Sequence, residues 1–394
     1  MTSKPFALIL SRYSKLLIVL IWLVTSVLYL KMFGLFTGLE AEKYISEAKR
    51  FLHDGTFSAP RYWFYCTTIF IIVIAFKLKI GLAGAFVIQS LLNIFAYLFF
   101  YTELKKIFKI PATAFFVVLY LLIFLPYQSW IVFLYTESVF FSSILILFSI
   151  VVRYKPTGLK NLLIIGLALI LVIISRPLGI LFAVSIYFFL IYTAPKKWKS
   201  VLGYCSIVFF LLAFYIINTI FSTIPDWNIT QAFEEESIIC DLPGSSPTYS
   251  KLELANSGSP IYKLFFYVTH NFRHFLHFFS VKLQYFFLMA RPYYSNLHNY
   301  FVLINTIAIY FFILAGFFIK KLKFNKGIFT FLITTIALYT IAIIFQCDDY
   351  HNRFILSIFP FFVILAAWTV EYLALYFFKN NIHTPGISIE KMVP

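Results

Sequence analysis

Acidic side chains are concentrated in one polar stretch between long apolar segments. Residues 37–62 read TGLEAEKYISEAKRFLHDGTFSAPRY and follow the first apolar run. Charge at the edge of a membrane is costly and indicates a function. A carboxylate there can act as a general base, which requires hydrogen-bond reach to an acceptor proton. Glu40 is the leading acid and the first catalytic candidate, and Glu42 and Tyr44 are candidates for substrate binding.

The same residues also fit a structural role. Thr37-Gly-Leu-Glu40 has the form of a capping box, in which Glu40 at the third helical position bonds back to the helix start. Tyr44 shares the helical face of Glu40, whereas Glu42 lies roughly 200° around the helix from it. A helix at this point therefore prevents the two carboxylates from binding one metal ion.

A second acid and an arginine lie within apolar sequence. Glu137, in Tyr-Thr-Glu-Ser, is surrounded by apolar residues, and an ionisable side chain in a membrane helix is a functional candidate. A structural ion pair is the alternative. We expect Arg176 to be its partner. Ser-Arg-Pro177 joins two apolar runs, and an arginine at such a helix break can face a phosphate. The alternative is that this segment is a simple interfacial turn.

The last polar connection before the final apolar run supplies another candidate set. It reads CDDYHNR over residues 347–353. Asp348, Asp349 and His351 could bind a divalent cation such as Mg²⁺ or Mn²⁺, and a solvated turn is the alternative. Arg353 opens a helix where the helix dipole favours an acid, which indicates an anionic partner.

Composition identifies the solvent around these residues. Of 394 residues, 61% are hydrophobic and 12% are charged, so we expect lipid to surround the chain. The net charge of +16 comes from short Lys and Arg clusters between apolar runs. Such clusters orient a membrane protein and do not indicate nucleic-acid binding. The sequence predicts an all-α polytopic membrane protein with its N-terminus in the cytoplasm and residues 37–62 outside.

The positions of the basic clusters set the expected number of membrane crossings, because each cluster is expected on the cytoplasmic side. Residues 62–76 fall short of the roughly 20 residues that a span needs, and we predict a juxtamembrane helix on the outer face. About ten helices are then expected to cross. Their predicted ranges are 16–36, 82–101, 111–126, 131–152, 160–175, 177–193, 200–221, 300–319, 328–345 and 354–378.

These helices divide the chain into four parts. The predicted parts are an N-terminal transmembrane module (1–221), a long outer loop (222–299), C-terminal transmembrane helices (300–379) and a cytoplasmic tail (380–394). Within the outer loop, residues 263–279 are predicted to form one amphipathic helix in the headgroup layer. Its polar arc contains Lys263, His270, Arg273, His274 and His277. A disulfide between Cys240 and Cys347 is an option, because both are expected outside.

Four motifs, taken in chain order, resemble the GT-C superfamily of polyprenyl-phosphate-sugar-dependent glycosyltransferases. Glu40-Ala-Glu-Lys-Tyr…Ala48…Leu-His-Asp-Gly55 resembles the first outer loop of bacterial members that are like dolichyl-phosphate-mannose-protein mannosyltransferases. Thr-Glu137-Ser-Val-Phe resembles their acid-bearing fourth helix. Ser-Arg176-Pro-Leu-Gly is similar to their arginine–proline break, and Arg353-Phe-Ile-Leu-Ser-Ile-Phe-Pro to the start of a late helix.

The resemblance covers residues 16–195 and 346–378 and departs from the family in two places. The family's leading acid is usually Asp, whereas Glu40 is one methylene longer. The family's proline-rich stretch near 61–67 is reduced here to Pro60. The family also has a juxtamembrane outer helix after its catalytic loop, in agreement with the prediction for residues 62–76.

The resemblance implies a GT-C-like bundle and inverting transfer of one hexose or pentose. The donor would be a polyprenyl-phosphate-linked sugar, and the acceptor a hydroxyl of a glycolipid, polysaccharide or protein. Glu40 would be the general base and Glu137 would orient the acceptor or the sugar. Arg176 and Arg353 would bind the donor phosphate. Arg291, which lies outside the resembling segments, is a further candidate for binding this phosphate. Substrate contacts would come from Glu42, Tyr44, Asp349 and His351.

The same resemblance places the protein in the bacterial inner membrane, or alternatively in the endoplasmic reticulum, with the active site on the periplasmic or luminal side. A divalent cation, Mg²⁺ or Mn²⁺, is an open option.

Two other functional classes remain open. A flippase or transporter for lipid-linked sugars would need paired midplane charges or broken helices in corresponding halves. An O-antigen polymerase or ligase uses the same carriers but would place its chemistry in the 222–299 loop, at arginines such as Arg273 and Arg291.

Overall fold

The computed structural model describes residues 3–156, 158–223, 233, 235–239, 252–319, 324–347 and 351–381. Within these ranges the regular secondary structure is helical, and two short segments meet in one isolated β-bridge. The predicted all-α class is therefore confirmed for the described residues.

The α-helices are, in chain order, α1 (Ser3–Phe33), α2 (Glu40–Asp54), α3 (Cys66–Lys77), α4 (Gly81–Leu104), α5 (Pro111–Ile123), α6 (Leu125–Gln128), α7 (Thr136–Arg153), α8 (Leu159–Ile173), α9 (Leu181–Thr193), α10 (Lys196–Thr223), α11 (Pro260–His270), α12 (Phe272–Leu288), α13 (Asn296–Phe318), α14 (Lys326–Phe345) and α15 (Arg353–Asn381). Short 3₁₀ helices cover Pro60–Tyr65, Ser129–Val132 and Pro177–Ile180.

Six helices in the described part of the chain are long and apolar enough to cross a membrane. They are Tyr13–Phe33, Gly81–Leu104, Thr136–Arg153, Asn296–Phe318, Lys326–Phe345 and Arg353–Phe377. A seventh span is obtained if the pair Pro111–Ile123 and Leu125–Val132, bent by 70°, counts as one. The chain is therefore an α-helical polytopic membrane protein, and the count of about ten crossings stays a prediction because α8 and α9 are shorter than a span.

Contacts between helix ends define one face of the bundle. Glu371 of α15, 6% exposed, accepts hydrogen bonds from the Ile110 backbone N–H at 2.7 Å and the Thr113 hydroxyl at 3.1 Å, where α5 begins. The ring of Trp368 lies 6.1 Å from Phe108 and 5.1 Å from Phe324. This end of the bundle therefore contains the residues next to the basic positions 105–109 and 326. We expect it to be cytoplasmic because Lys and Arg concentrate there.

Residues 124–135 pass irregularly through the buried interior. A helix was expected over 131–152, but α7 begins only at Thr136. Irregular backbone at membrane depth needs polar partners from its surroundings. The Gln89 side-chain amide of α4 supplies two of them by donating to the carbonyls of Ile131 at 2.7 Å and Phe133 at 3.1 Å. A buried glutamine thus replaces the missing helical hydrogen bonds.

Replacing Gln89 by methionine should destabilise the bundle. The change leaves two buried carbonyls without their donor, at a cost of roughly 1–3 kcal/mol. We expect a lower apparent melting temperature in detergent. Leu91→Met is the matched control, because Leu91 lies on the same helix with 61% of its side chain exposed. If both variants melted like the wild type, the Gln89 bonds would not support this segment.

The prediction of a single amphipathic helix over 263–279 is wrong. The helical conformation is interrupted at Asn271, with φ −117° and ψ 40°, between α11 and α12. The Asn271 side chain exchanges two hydrogen bonds with the backbone of Glu253, at 2.8 and 3.0 Å. His274 is also not on an exposed polar arc. It is 3% exposed, and its ring contacts the Tyr267 hydroxyl at 2.6 Å and the Glu236 carboxylate at 3.0 Å.

Candidate functional site

A two-bond bridge between distant segments brings the two acidic motifs together. The Phe36 backbone N–H donates to the Val132 carbonyl at 3.0 Å, and the Leu134 N–H donates to the Phe36 carbonyl at 3.1 Å. The chain enters α2 shortly after Phe36 and enters α7 shortly after Leu134. The first turns of α2 and α7 therefore lie next to each other.

Glu40 is not part of a capping box. Helix α2 begins at Glu40 itself, after Leu39 at φ 54°, so Glu40 is not at the third helical position from a Thr37 cap. Its carboxylate is bound by Arg353 instead. Oε2 accepts from Nη1 at 2.6 Å, and Oε1 accepts from Nη2 at 3.0 Å. Two parallel, charge-assisted bonds of this kind fix the orientation of both groups.

Glu137 joins the same arginine to a second one. Its Oε1 accepts from Nη1 of Arg353 at 3.1 Å and also from Nη1 of Arg176. The expected pairing of Glu137 with Arg176 is confirmed, and Arg353 is a further partner. Four residues thus form a continuous chain of alternating charge, Glu40–Arg353–Glu137–Arg176, which we call the charge cluster. Its two carboxylates and two guanidinium groups balance, which makes its burial tolerable.

Burial differs among the four residues of the charge cluster and is greatest at Glu137. The Glu137 side chain is 0% exposed, Arg353 10%, Arg176 12% and Glu40 32%. Glu40 is therefore the carboxylate that a substrate can reach. The other oxygen of Glu137, Oε2, is buried and has no hydrogen-bond partner among the described residues. Buried polar atoms without partners are rare, and this one needs a donor.

Aromatic rings surround the arginines. The guanidinium carbon of Arg353 lies 5.8 Å from the ring centre of Trp130 and 6.0 Å from that of Tyr135. That of Arg176 lies 5.7 Å from the Phe354 ring. These cation–π contacts hold the guanidinium groups in place. The positions of Trp130 and Tyr135 beside Arg353 were not predictable from sequence, because they depend on the irregular course of residues 124–135.

Two tyrosines lie beside the carboxylates. Tyr44 is buried on α2, and its ring centre is 5.6 Å from that of Tyr65. Burial raises the pKa of Tyr44 well above its ordinary value, and the negative charges of Glu40 and Glu137 raise it further. Burial also raises the pKa of Tyr65, against the opposing charge of Arg176. Both hydroxyls therefore stay protonated at neutral pH, and neither is a base. Sequence spacing gave no signal for Tyr65.

Of the other predicted substrate-binding residues, Glu42 and His351 are among the described residues and Asp349 is not. Glu42 is exposed on α2, one residue beyond Ala41, which is buried. The His351 ring is 6.0 Å from Trp130, which also contacts Arg353. Asp349 lies outside the described residues.

Arg291 lies in the connection between α12 and α13. It is 1% exposed. Its Nη1 donates to the Tyr285 carbonyl at 2.8 Å, and its backbone N–H donates to Asn299 Oδ1 at 2.9 Å. It lines a cleft of about 290 Å³ together with Gln284, Tyr285, Leu288, Ala290, Pro292 and Asn299. The described bonds of Arg291 hold this connection together, and its role in phosphate binding stays a prediction.

The possible metal site and disulfide involve residues beyond the described ranges. Among the described residues, His, Cys, Asp and Glu side chains form no group of three that could hold a metal ion. Asp348 and Asp349 lie outside these ranges, so a divalent cation stays a prediction. Cys347 is disulfide-bonded, and its candidate partner Cys240 also lies outside them.

Comparison of the chain with protein-family models finds no match, and comparisons with curated proteins and with solved structures find none either.

Proposed function

We propose that this chain is an integral-membrane glycosyltransferase that transfers one sugar from a polyprenyl-phosphate donor to an acceptor hydroxyl, with inversion. One observation carries the proposal. Each of the four sequence motifs that resemble the GT-C superfamily contributes one residue to the charge cluster, although Glu40 and Arg353 are 313 residues apart. A resemblance of unrelated segments would give no reason for these four residues to meet.

The proposed reaction needs a base and a site for a phosphate leaving group. The acceptor oxygen attacks the anomeric carbon as its proton passes to Glu40. The bond from that carbon to the phosphate oxygen breaks, and the lipid phosphate departs with the electron pair and one more negative charge. Glu40 suits the base role because it is the most exposed carboxylate of the cluster, at 32%. General-base catalysis requires this access.

The arginines suit the developing negative charge. Arg353 and Arg176 are held in fixed orientation by carboxylates and aromatic rings. Preorganised donors of this kind stabilise a charge that grows in the transition state. In the present structure Arg353 binds Glu40, so the donor phosphate would compete for this guanidinium. That exchange would free the Glu40 carboxylate for the acceptor.

Glu137 suits substrate orientation. Its Oε1 accepts hydrogen bonds from both arginines, while its buried Oε2 has no hydrogen-bond partner among the described residues. Because the Glu137 side chain is fully buried, it would orient the substrate through the two arginines that it binds. This is the role that the resemblance implies for Glu137.

The experiment that tests the proposal is sugar transfer in proteoliposomes. Purified protein would be given a panel of radiolabelled polyprenyl-phosphate sugars with lipid and polysaccharide acceptors. We expect transfer from at least one donor, and we expect Arg273→Ala, in the exposed first turn of α12, to retain it. Loss of transfer in Arg273→Ala, with full activity in Glu40→Gln, would place the chemistry in the 222–299 segment, as in a ligase.

A further inference from the structure

The connection between α14 and α15 leads directly to Arg353. At its first end, Lys282 of α12 donates from Nζ to the carbonyls of Ile344 at 3.2 Å and Gln346 at 3.0 Å. Lys282 is 1% exposed, and its ammonium lies 4.7 Å from the Phe233 ring centre and 4.5 Å from that of Phe278. A cation suits the C-terminus of a helix, where carbonyls lack partners. Lys282 therefore attaches the end of α14 to α12.

The second end of the connection is attached to the same helix. Asn352 is 2% exposed, and its Nδ2 donates to the Met289 carbonyl at 2.7 Å, where α12 ends. Its backbone has φ 60°, which asparagine tolerates better than most residues. The Asn352 carbonyl accepts from the Leu356 N–H at 3.0 Å in the first turn of α15. Asn352 thus fixes the point at which α15 starts.

We infer that Lys282 and Asn352 are positioning residues through which α12 sets the location of the Arg353 guanidinium. Arg353 follows Asn352 directly, and its bonds to Glu40 and Glu137 range from 2.6 to 3.1 Å. Displacement of the α15 start by even about 1 Å would break such bonds. The segment around α12, which the family resemblance leaves unmatched, thereby acquires a defined role at the charge cluster.

The first test measures Arg353 directly and needs no sugar transfer. Arginines are labelled with phenylglyoxal and quantified by mass spectrometry, with exposed Arg61 as the internal reference. Asn352→Gly removes the Nδ2 bond while glycine still accepts the positive φ. Lys282→Met removes the other attachment. We expect Arg353 labelling to rise about fivefold or more relative to Arg61 in each variant, because local opening exposes the guanidinium.

A matched control separates this effect from the general loss of an asparagine side chain. Asn161 also donates one side-chain bond to a carbonyl, that of Lys155 at 2.9 Å, at an exposed site remote in sequence from the connection. Asn161→Ala should leave Arg353 labelling unchanged. If Asn352→Gly and Lys282→Met both label like the wild type, α12 does not position Arg353, and the inference is overturned.

The second test asks whether Asn352 acts through Arg353, and it rests on the proposed function. Asn352→Gly should weaken binding of a polyprenyl phosphate by about tenfold in the wild-type background and have no further effect in Arg353→Gln. Additive losses would contradict action through Arg353. Failure of the wild type to bind the lipid phosphate would overturn the proposed function instead, and the labelling result would still decide the positioning role.

Discussion

Replacing Arg353 by glutamine is expected to reduce both sugar transfer and the stability of the fold. Arg353 is the only residue of the four that binds both carboxylates. Its removal leaves Glu40 without its two-bond partner and leaves buried Glu137 with Arg176 alone. We expect sugar transfer to fall by about 10²–10³-fold, as on removal of a preorganised donor from a developing oxyanion.

The same substitution should also destabilise the fold. Removing one partner of a buried ion pair costs about 3–5 kcal/mol, because a charge is left uncompensated. Glu40 is 32% exposed, so water will offset part of this cost. We therefore expect a loss of roughly 2–4 kcal/mol, measured as a lower apparent melting temperature. Arg61→Gln, at an exposed position, should melt like the wild type.

A double variant separates the two effects of Arg353→Gln. Adding Glu40→Gln removes the carboxylate that Arg353→Gln leaves unpaired, so part of the lost stability should return. Transfer should not return, because the base and one of the two phosphate-binding arginines are then absent. Recovery of transfer together with stability would mean that Arg353 supports only the fold.

Glu40→Gln should abolish most turnover without abolishing donor binding. The amide is nearly isosteric with the carboxylate and can still accept a bond from Arg353, but it cannot take up a proton. General-base catalysis contributes about 10²–10⁴-fold, and we expect a loss of turnover in this range at saturating donor. The donor dissociation constant should not rise, because the arginines remain and the neutral amide competes less strongly than the carboxylate for Arg353.

Glu42→Gln is the matched control for this experiment. Glu42 lies two residues further along the same helix, and its side chain is exposed. Its substitution also replaces a carboxylate by an amide. We expect its turnover at saturating substrates to stay within about threefold of the wild type, because loss of a substrate contact at Glu42 would change KM rather than kcat. Equal losses in the two variants would show that charge on α2, rather than a base at Glu40, is what matters.

The sequence predicted part of this site because buried charge demands a partner. Glu137 and Arg176 were paired on that ground alone, and the structure brings them into contact. The link from Glu40 to Arg353 was not predicted, because it depends on how the first turns of α2 and α15 meet. The sequence also allowed a capping box at Thr37 and Glu40. That prediction was wrong, because Leu39 adopts a positive φ and α2 starts only at Glu40.

The irregular elements were the hardest to predict from apolar patterning. Residues 124–135 are nearly all apolar, and a run of this kind fits a buried helix as well as buried irregular backbone. Its course is set by the Gln89 side chain, 42 residues away from Ile131. The break at Asn271 is likewise set by Glu253, 18 residues earlier, so helical periodicity alone gave one helix where the chain forms two.

The most direct test of the charge cluster as the donor site is to locate the phosphate of a bound polyprenyl phosphate by electron cryomicroscopy. The proposal predicts phosphate oxygens within about 3 Å of guanidinium nitrogens of Arg353 or Arg176, the usual distance of a charge-assisted hydrogen bond. Phosphate density in the cleft lined by Arg291, with the Glu40–Arg353 bonds intact, would contradict it.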